Sequence, residues 1–138
     1  MVHRWVSAGL NATVGLLLMT SGAGATPPAR PGATLRVAAT AYCQHGTTQS
    51  GTRARTGIVA ADPLVLPVGS VLRVDGVADG LAGIYTVMDT GSAVKGSHID
   101  IFVPDCGRAQ QFGARSVIVH VLRRGWDPKA SAPGSPSR

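Results

Sequence analysis

Asp89 and Asp100 stand eleven residues apart, each directly after an apolar residue, in the segment that runs from Met88 to Phe102. A glycine-containing loop separates two apolar runs there, so both carboxylates are expected at strand ends, close together. Like charges held that close favour retention of one proton. A carboxyl that keeps its proton near neutral pH is what general acid catalysis requires. Composition narrows the choice. All seven acidic side chains are aspartates, so carboxylate chemistry rests on Asp62, Asp75, Asp79, Asp89, Asp100, Asp105 or Asp127. Asp100 lies in the apolar alternation Ile99-Asp100-Ile101, where a carboxylate is costly unless it has a task.

Two residues before Asp100 is His98. In a strand both side chains point to the same face, which makes His98 a neighbour able to hydrogen-bond the acid. His45, His98 and His120 match no metal-ligand spacing, so neither a metal site nor a cofactor is expected. Asp89-Thr90-Gly91 after the apolar run Ile84 to Met88 also resembles the aspartic proteases, in which two such tripeptides share a proton. A dimeric aspartic protease is therefore an alternative reading.

The elements that must position these groups are short and β-rich. Strands are predicted over 35–42, 56–61, 71–74, 83–88, 98–103 and 116–122, where β-branched runs alternate with turn signals such as Asp75-Gly76 and Asp79-Gly80. One helix is predicted from Cys106 to Phe112, with Asp105 as N-cap and Gly113 as its stop. Six strands and one short helix in roughly ninety residues suggest a small closed barrel, which leaves no strand edge exposed. An open sandwich fits the same pattern.

The ends of the chain read differently. Residues 1–25 have the form of a secretory signal peptide: Arg4 supplies the charge, Val14 to Met19 is mostly apolar, and Ala23-Gly24-Ala25 is a cleavage site. Residues 26–34 read as a flexible linker, 35–125 as the folded domain and 126–138 as a disordered tail rich in proline. Removing residues 1–25 takes away one of the thirteen Lys/Arg and no acid, which lowers the formal net charge from +6 to +5. A basic exported protein suits an anionic surface such as a cell wall. With 4% aromatic residues and no basic run interleaved with them, the chain lacks the signature of a nucleic-acid binder. In an exported chain the two cysteines, Cys43 and Cys106, read as a disulfide.

A longer pattern covers nearly all of the expected domain. Thr40-Ala41-Tyr42-Cys43, Ser50-Gly51-Thr52, Gly57 to Pro63, Leu66 to Ser70, Asp89-Thr90-Gly91, Val94-Lys95-Gly96, His98 to Phe102, Phe112-Gly113 and Val117 to Leu122 together resemble the 3D-domain family, named for three aspartates. Here these are Asp62, Asp89 and Asp100. The family includes stationary-phase-survival proteins and is similar to the core of membrane-bound lytic transglycosylase A. The resemblance implies a mostly β protein, a six-stranded double-psi β-barrel with one short helix. It implies an exported lytic transglycosylase that cuts the MurNAc-GlcNAc β-1,4 bond of peptidoglycan strands without water and leaves 1,6-anhydro ends. Such a reaction needs a single acid/base, unlike the two carboxylates of ordinary glycosidases.

By the family's pattern Asp100 is the acid/base. Asp89 raises its pKa or positions the sugar, and Asp62 binds substrate or holds the loop. Lys95 is a candidate contact for a substrate carboxylate. Thr40 and Tyr42, at the end of the first strand, are candidates to line the groove, and His98 joins them as a neighbour of the acid. Gly91 and Gly96 are expected to adopt positive φ and admit close sugar approach. The expected location is the cell wall or periplasm, with peptidoglycan glycan as partner. The protein is read as a monomer with no nucleic-acid partner and no stable membrane anchor after cleavage. A non-catalytic polysaccharide-binding or wall-loosening module on the same barrel is the second reading, because such barrels also serve as binders.

Overall fold

The computed structural model describes residues 24–77 and 80–126. Residues 1–23, which hold most of the expected signal peptide, lie outside the described residues, as do 127–138. Six strands are present: β1 (Thr34–Tyr42), β2 (Ile58–Ala61), β3 (Val71–Asp75), β4 (Gly83–Asp89), β5 (His98–Phe102) and β6 (Arg115–Arg123). One helix, α1 (Cys106–Phe112), lies between β5 and β6. Asp105 caps it, its carboxylate Oδ1 accepting the Arg108 N–H at 2.8 Å, and Gly113 ends it at φ 63°. Predicted β2 begins two residues too early. Arg55 to Gly57 form a turn instead, closed by the Ile58 N–H on the Arg55 carbonyl, with Gly57 at φ 89°.

The sheet closes on itself in the order β1-β5-β2-β4-β3-β6. Two pairs, β1/β5 and β2/β4, are parallel, and the other four are antiparallel. The closed barrel is the expected architecture, and the sandwich alternative is set aside. Strand alternation explains the interior. Val37 and Ala39 of β1, Leu72 and Val74 of β3, Val87 of β4, Ile99 and Ile101 of β5 and Val117, Val119 and Val121 of β6 all fill the core. Valine and isoleucine suit a narrow interior because their branched side chains are stiff and pack on a pleated surface. Strand β2 is buried on both faces, so its outward residues lie under something other than water.

Segments at both ends of the described residues touch the barrel. The 26–34 segment, read as a flexible linker, packs on the barrel. Ala29 is buried, its N–H bonds the Val65 carbonyl, and the Gly32 N–H bonds the Val121 carbonyl. Backbone hydrogen bonds and the buried Ala29 side chain together make the attachment. Trp126, assigned to the tail, donates its backbone N–H to Val68 and lays its ring where a Cβ on Gly69 would stand. The Cys43–Cys106 disulfide is formed and ties the end of β1 to the start of α1.

Candidate active site

Register assembles the site. On the outer face of the barrel Thr40 of β1 pairs with Asp100 of β5, Asp100 pairs with Ala60 of β2, and Ala60 pairs with Asp89 of β4. The four residues form one row across four strands. Asp89 enters the row through a β-bulge. The β2/β4 register shifts after Val59, so Ala60 meets Asp89 and not Met88. Val87 points into the core, and simple alternation would send Asp89 inward as well. The extra residue turns it outward, a common use of bulges beside active sites. The two carboxylates thus stand two strands apart, roughly 10 Å between Cα atoms at ordinary strand spacing. Ala60 stands between them in the row.

Asp100 is half-buried. Burial is the largest influence on its carboxyl and pushes the pKa up, opposed by the Thr40 hydroxyl and the charge of His98 and reinforced least by Asp89. The sequence argument put like-charge repulsion first. Desolvation leads instead, because two strand spacings separate the carboxylates. The Thr40 hydroxyl donates to Asp100 Oδ1 at 2.8 Å, and Thr40 Oγ1 also lies 2.8 Å from His98 Nε2. His98 therefore reaches Asp100 through Thr40. Asp89 is oriented by backbone: its Oδ1 accepts the N–H groups of Gln49 and Thr90, both at 2.9 Å. The Tyr42 ring stands edge-on to Phe102, as does the ring of His45. The buried Tyr42 hydroxyl lies beside Asp89, within electrostatic reach but without a formed hydrogen bond. Burial, then the charges of Asp89 and Asp100, hold its proton well above the usual phenol range.

A shallow cavity of about 140 Å³ opens over this row, lined by Tyr42, Gln44, Ala60, Asp89, Gly91 and Asp100 among others. A second, of about 270 Å³, adjoins it across Tyr42, Gln44 and Asp89 and runs under the loop from His45 to Ala54. Together they make a groove with Asp89 between its two halves. Larger hollows occur elsewhere, such as one of about 430 Å³ between Pro27 and Arg124, but it holds no carboxylate.

The other expected site residues occupy different places. Asp62 is 7% exposed and turned toward backbone, its Oδ1 accepting the Leu64 N–H at 3.0 Å and its Oδ2 the Gly96 N–H at 2.7 Å. It clamps the β4–β5 loop to the end of β2. Burial works against its charge, but the Gly96 and Leu64 N–H groups and the Lys95 charge prevail and lower its pKa. Lys95 is exposed and lines neither half of the groove. Thr40 and His98 lie outside the lining as well, their polar atoms spent on each other and on Asp100. Gly96 has the expected positive φ of 64°. Gly91 does not. Its constraint is space, since a Cβ there would stand 3.0 Å from Val94 Cγ2. His120 lies across the barrel between Thr34 and Asp75, bonded to both at 3.0 Å.

Sequence reasoning missed Ala60, Gln44 and Gln49. Ala60 gave no distinct signal, since its neighbour Ala61 is equally small. The two glutamines gave none, since a loop approaches the row only after the barrel closes. Residues 57–123 match the family model described as the 3D domain. The expected resemblance to the 3D-domain family therefore holds over that span. All three of Asp62, Asp89 and Asp100 fall within the matched span, whereas Thr40 and Tyr42 precede it. The chain is 41% identical over 98 residues to the cell wall-binding protein YocH of Bacillus subtilis, across 64% of this chain and 32% of YocH. It is also similar to the crystal structure of MltA from E. coli, at 24% identity and a TM-score of 0.48, across 58% of this chain and 28% of MltA. The chain thus spans about a third or less of the length of these relatives.

Proposed function

We propose that this 3D domain acts on peptidoglycan glycan strands at the cell wall, as a lytic transglycosylase with Asp100 as its acid/base. The observation that carries the reading is the outward row Asp100–Ala60–Asp89 beneath one groove, where burial raises the pKa of Asp100. Protonated Asp100 gives its proton to the glycosidic oxygen as the C1–O bond breaks. The cation developing at C1 is stabilised by Asp89, which stands across the Ala60 methyl. The C6 hydroxyl of the same sugar then closes on C1 and returns its proton to Asp100. No water is consumed and the acid is regenerated. The short Ala60 side chain supports this geometry by leaving room for a sugar ring between the carboxylates.

Mass spectrometry of peptidoglycan incubated with the protein tests the reading, beside Asp100→Asn. Products with a 1,6-anhydro end are expected from the native chain. The variant is expected to lose about 10²–10⁴-fold in rate, the usual contribution of a general acid. Reducing-end products would mean hydrolysis instead. The groove's shallowness and the name of the cell wall-binding relative favour the second reading, a wall-binding module. It predicts retention on glycan with no products and no effect of Asp100→Asn on binding. The aspartic-protease alternative has less support, since the carboxyl facing Asp89 is Asp100 of the same chain and not a second Asp-Thr-Gly.

A further inference from the structure

We infer that His98 is a positioning residue which, through the Thr40 hydroxyl, decides which oxygen of Asp100 carries the acid proton. The inference rests on the reading of Asp100 as the acid, but its test does not require turnover. A threonine hydroxyl has one proton to give. Thr40 Oγ1 lies 2.8 Å from Asp100 Oδ1 and 2.8 Å from His98 Nε2, so it can donate to only one of them. Two arrangements satisfy both contacts. In the first, His98 holds a proton on Nε2 and donates it to Thr40, which donates to Asp100 Oδ1. That oxygen is then an acceptor, and a proton on Asp100 must sit on Oδ2. Among the described residues no protein group donates to Oδ2, and Asp100 lines the groove. In the second, His98 is the Nδ1–H tautomer, Thr40 donates to Nε2, and Asp100 must use its proton to donate from Oδ1 to Thr40. The acid proton is then held in the wall of the barrel.

The fold fixes this choice at a well-defined place. Ala38 pairs with His98 and Thr40 with Asp100 in the parallel β1/β5 ladder, so the hydroxyl stands between two side chains on one face of β5. The other titratable groups toward Asp100 are Tyr42 from β1 and Asp89 from β4, while Ile58–Ala61 of β2 supplies none. Neither Tyr42 nor Asp89 touches Oδ1. A protonated or Nε2–H imidazole therefore arms the acid, and its loss leaves Thr40 free to rotate.

The test is the titration of the Asp100 carboxyl carbon by NMR in labelled protein, for the native chain, His98→Ala, Thr40→Val, the double variant and the rescue variants His98→Gln and Thr40→Ser. Heteronuclear spectra establish that each is folded. Each single removal is expected to raise the Asp100 midpoint, because each deletes an influence that favours the carboxylate. His98→Ala in the Thr40→Val background is expected to add little. Gln carries an amide donor near the position of Nε2 and is expected to restore much of the native value, as is Ser for Thr40. The alkaline limb of any product-formation profile, where the acid proton is lost, should move in the same order, at a loss below the ~10²–10⁴-fold of removing the acid. Full additivity of the two single shifts would overturn the relay and assign His98 a direct field effect. An unmoved midpoint in His98→Ala would overturn any role. If the native chain forms no anhydro product but the titrations behave as expected, the proposed function fails and the relay stands.

Discussion

A carboxyl that holds its proton more tightly in the folded chain than in the unfolded one weakens the fold once it ionises. Asp100 is such a group. Its folded pKa is raised, so its favourable contribution is complete below the ordinary carboxylate value of about 3.9 and is lost as pH rises through the folded value. Asp100→Asn is therefore expected to melt higher than the native protein near pH 7, with the advantage gone in acid. Thermal unfolding across that pH range checks the sign. Asp62 runs the opposite way. Its folded pKa is lowered, so its contribution is present above about 3.9 and lost as pH falls through the folded value. Asp62→Ala leaves the Gly96 and Leu64 N–H groups without their acceptor. The expected cost is about 2–4 kcal/mol by denaturant titration, from two unsatisfied donors, together with a flatter acid limb. The two aspartates thus separate by the sign of their effect on stability.

At the scale of elements, the site depends on the bulge between β2 and β4 and on the small residue it faces. Sequence reasoning placed both strands within two residues and Asp89 at the end of β4, but it also expected Asp100 at a strand end, whereas Asp100 is the central residue of β5. It could not see the register shift after Val59, because a bulge is a property of two strands and alternation is a property of one. Ala60→Val sets two additional carbons between the carboxylates at a position 4% exposed. Overpacking there is expected to cost about 1–3 kcal/mol in unfolding free energy. Product formation is expected to fall roughly 10²-fold, since small displacements of reacting groups are expensive. Melting curves and initial rates on peptidoglycan distinguish this from general unfolding. A variant that melts near the native temperature and cleaves normally would remove Ala60 from the site.

For the whole molecule, the disulfide links stability to the groove. Cys43 lies between Tyr42 and Gln44, two residues shared by both halves of the groove, and it is tied to Cys106 across 63 residues. A loop of that length is worth about 4 kcal/mol in the chain-entropy account, a large share of the ~5–15 kcal/mol that a small domain has. Cys43→Ala/Cys106→Ala, or reduction of the native protein, is expected to lower the unfolding free energy by about that amount. Glycan binding should weaken before global unfolding, because β1 is released beside Tyr42. Denaturant titration with and without reductant, followed by a glycan pull-down, measures both. Unchanged stability would mean that the reduced unfolded chain is already compact there.

Hydrophobic periodicity by itself determined the six strands, and Asp105 and Gly113 set the limits of the helix, because these signals lie within a few consecutive residues. The pairing of Cys43 with Cys106 was legible because the chain has no other cysteine. The motif around Asp62, Asp89 and Asp100 was legible for the same local reason. Tertiary structure alone decided that Asp62 holds a loop while Asp100 faces a groove. It placed Ala60 between two carboxylates, put Thr40 between His98 and Asp100, and made burial rather than Asp89 the main influence on the Asp100 carboxyl. Each of these depends on which strands become neighbours and how far one slides past the other. That register is set by closure of the barrel, which joins residues as distant in sequence as Thr40 and Asp100.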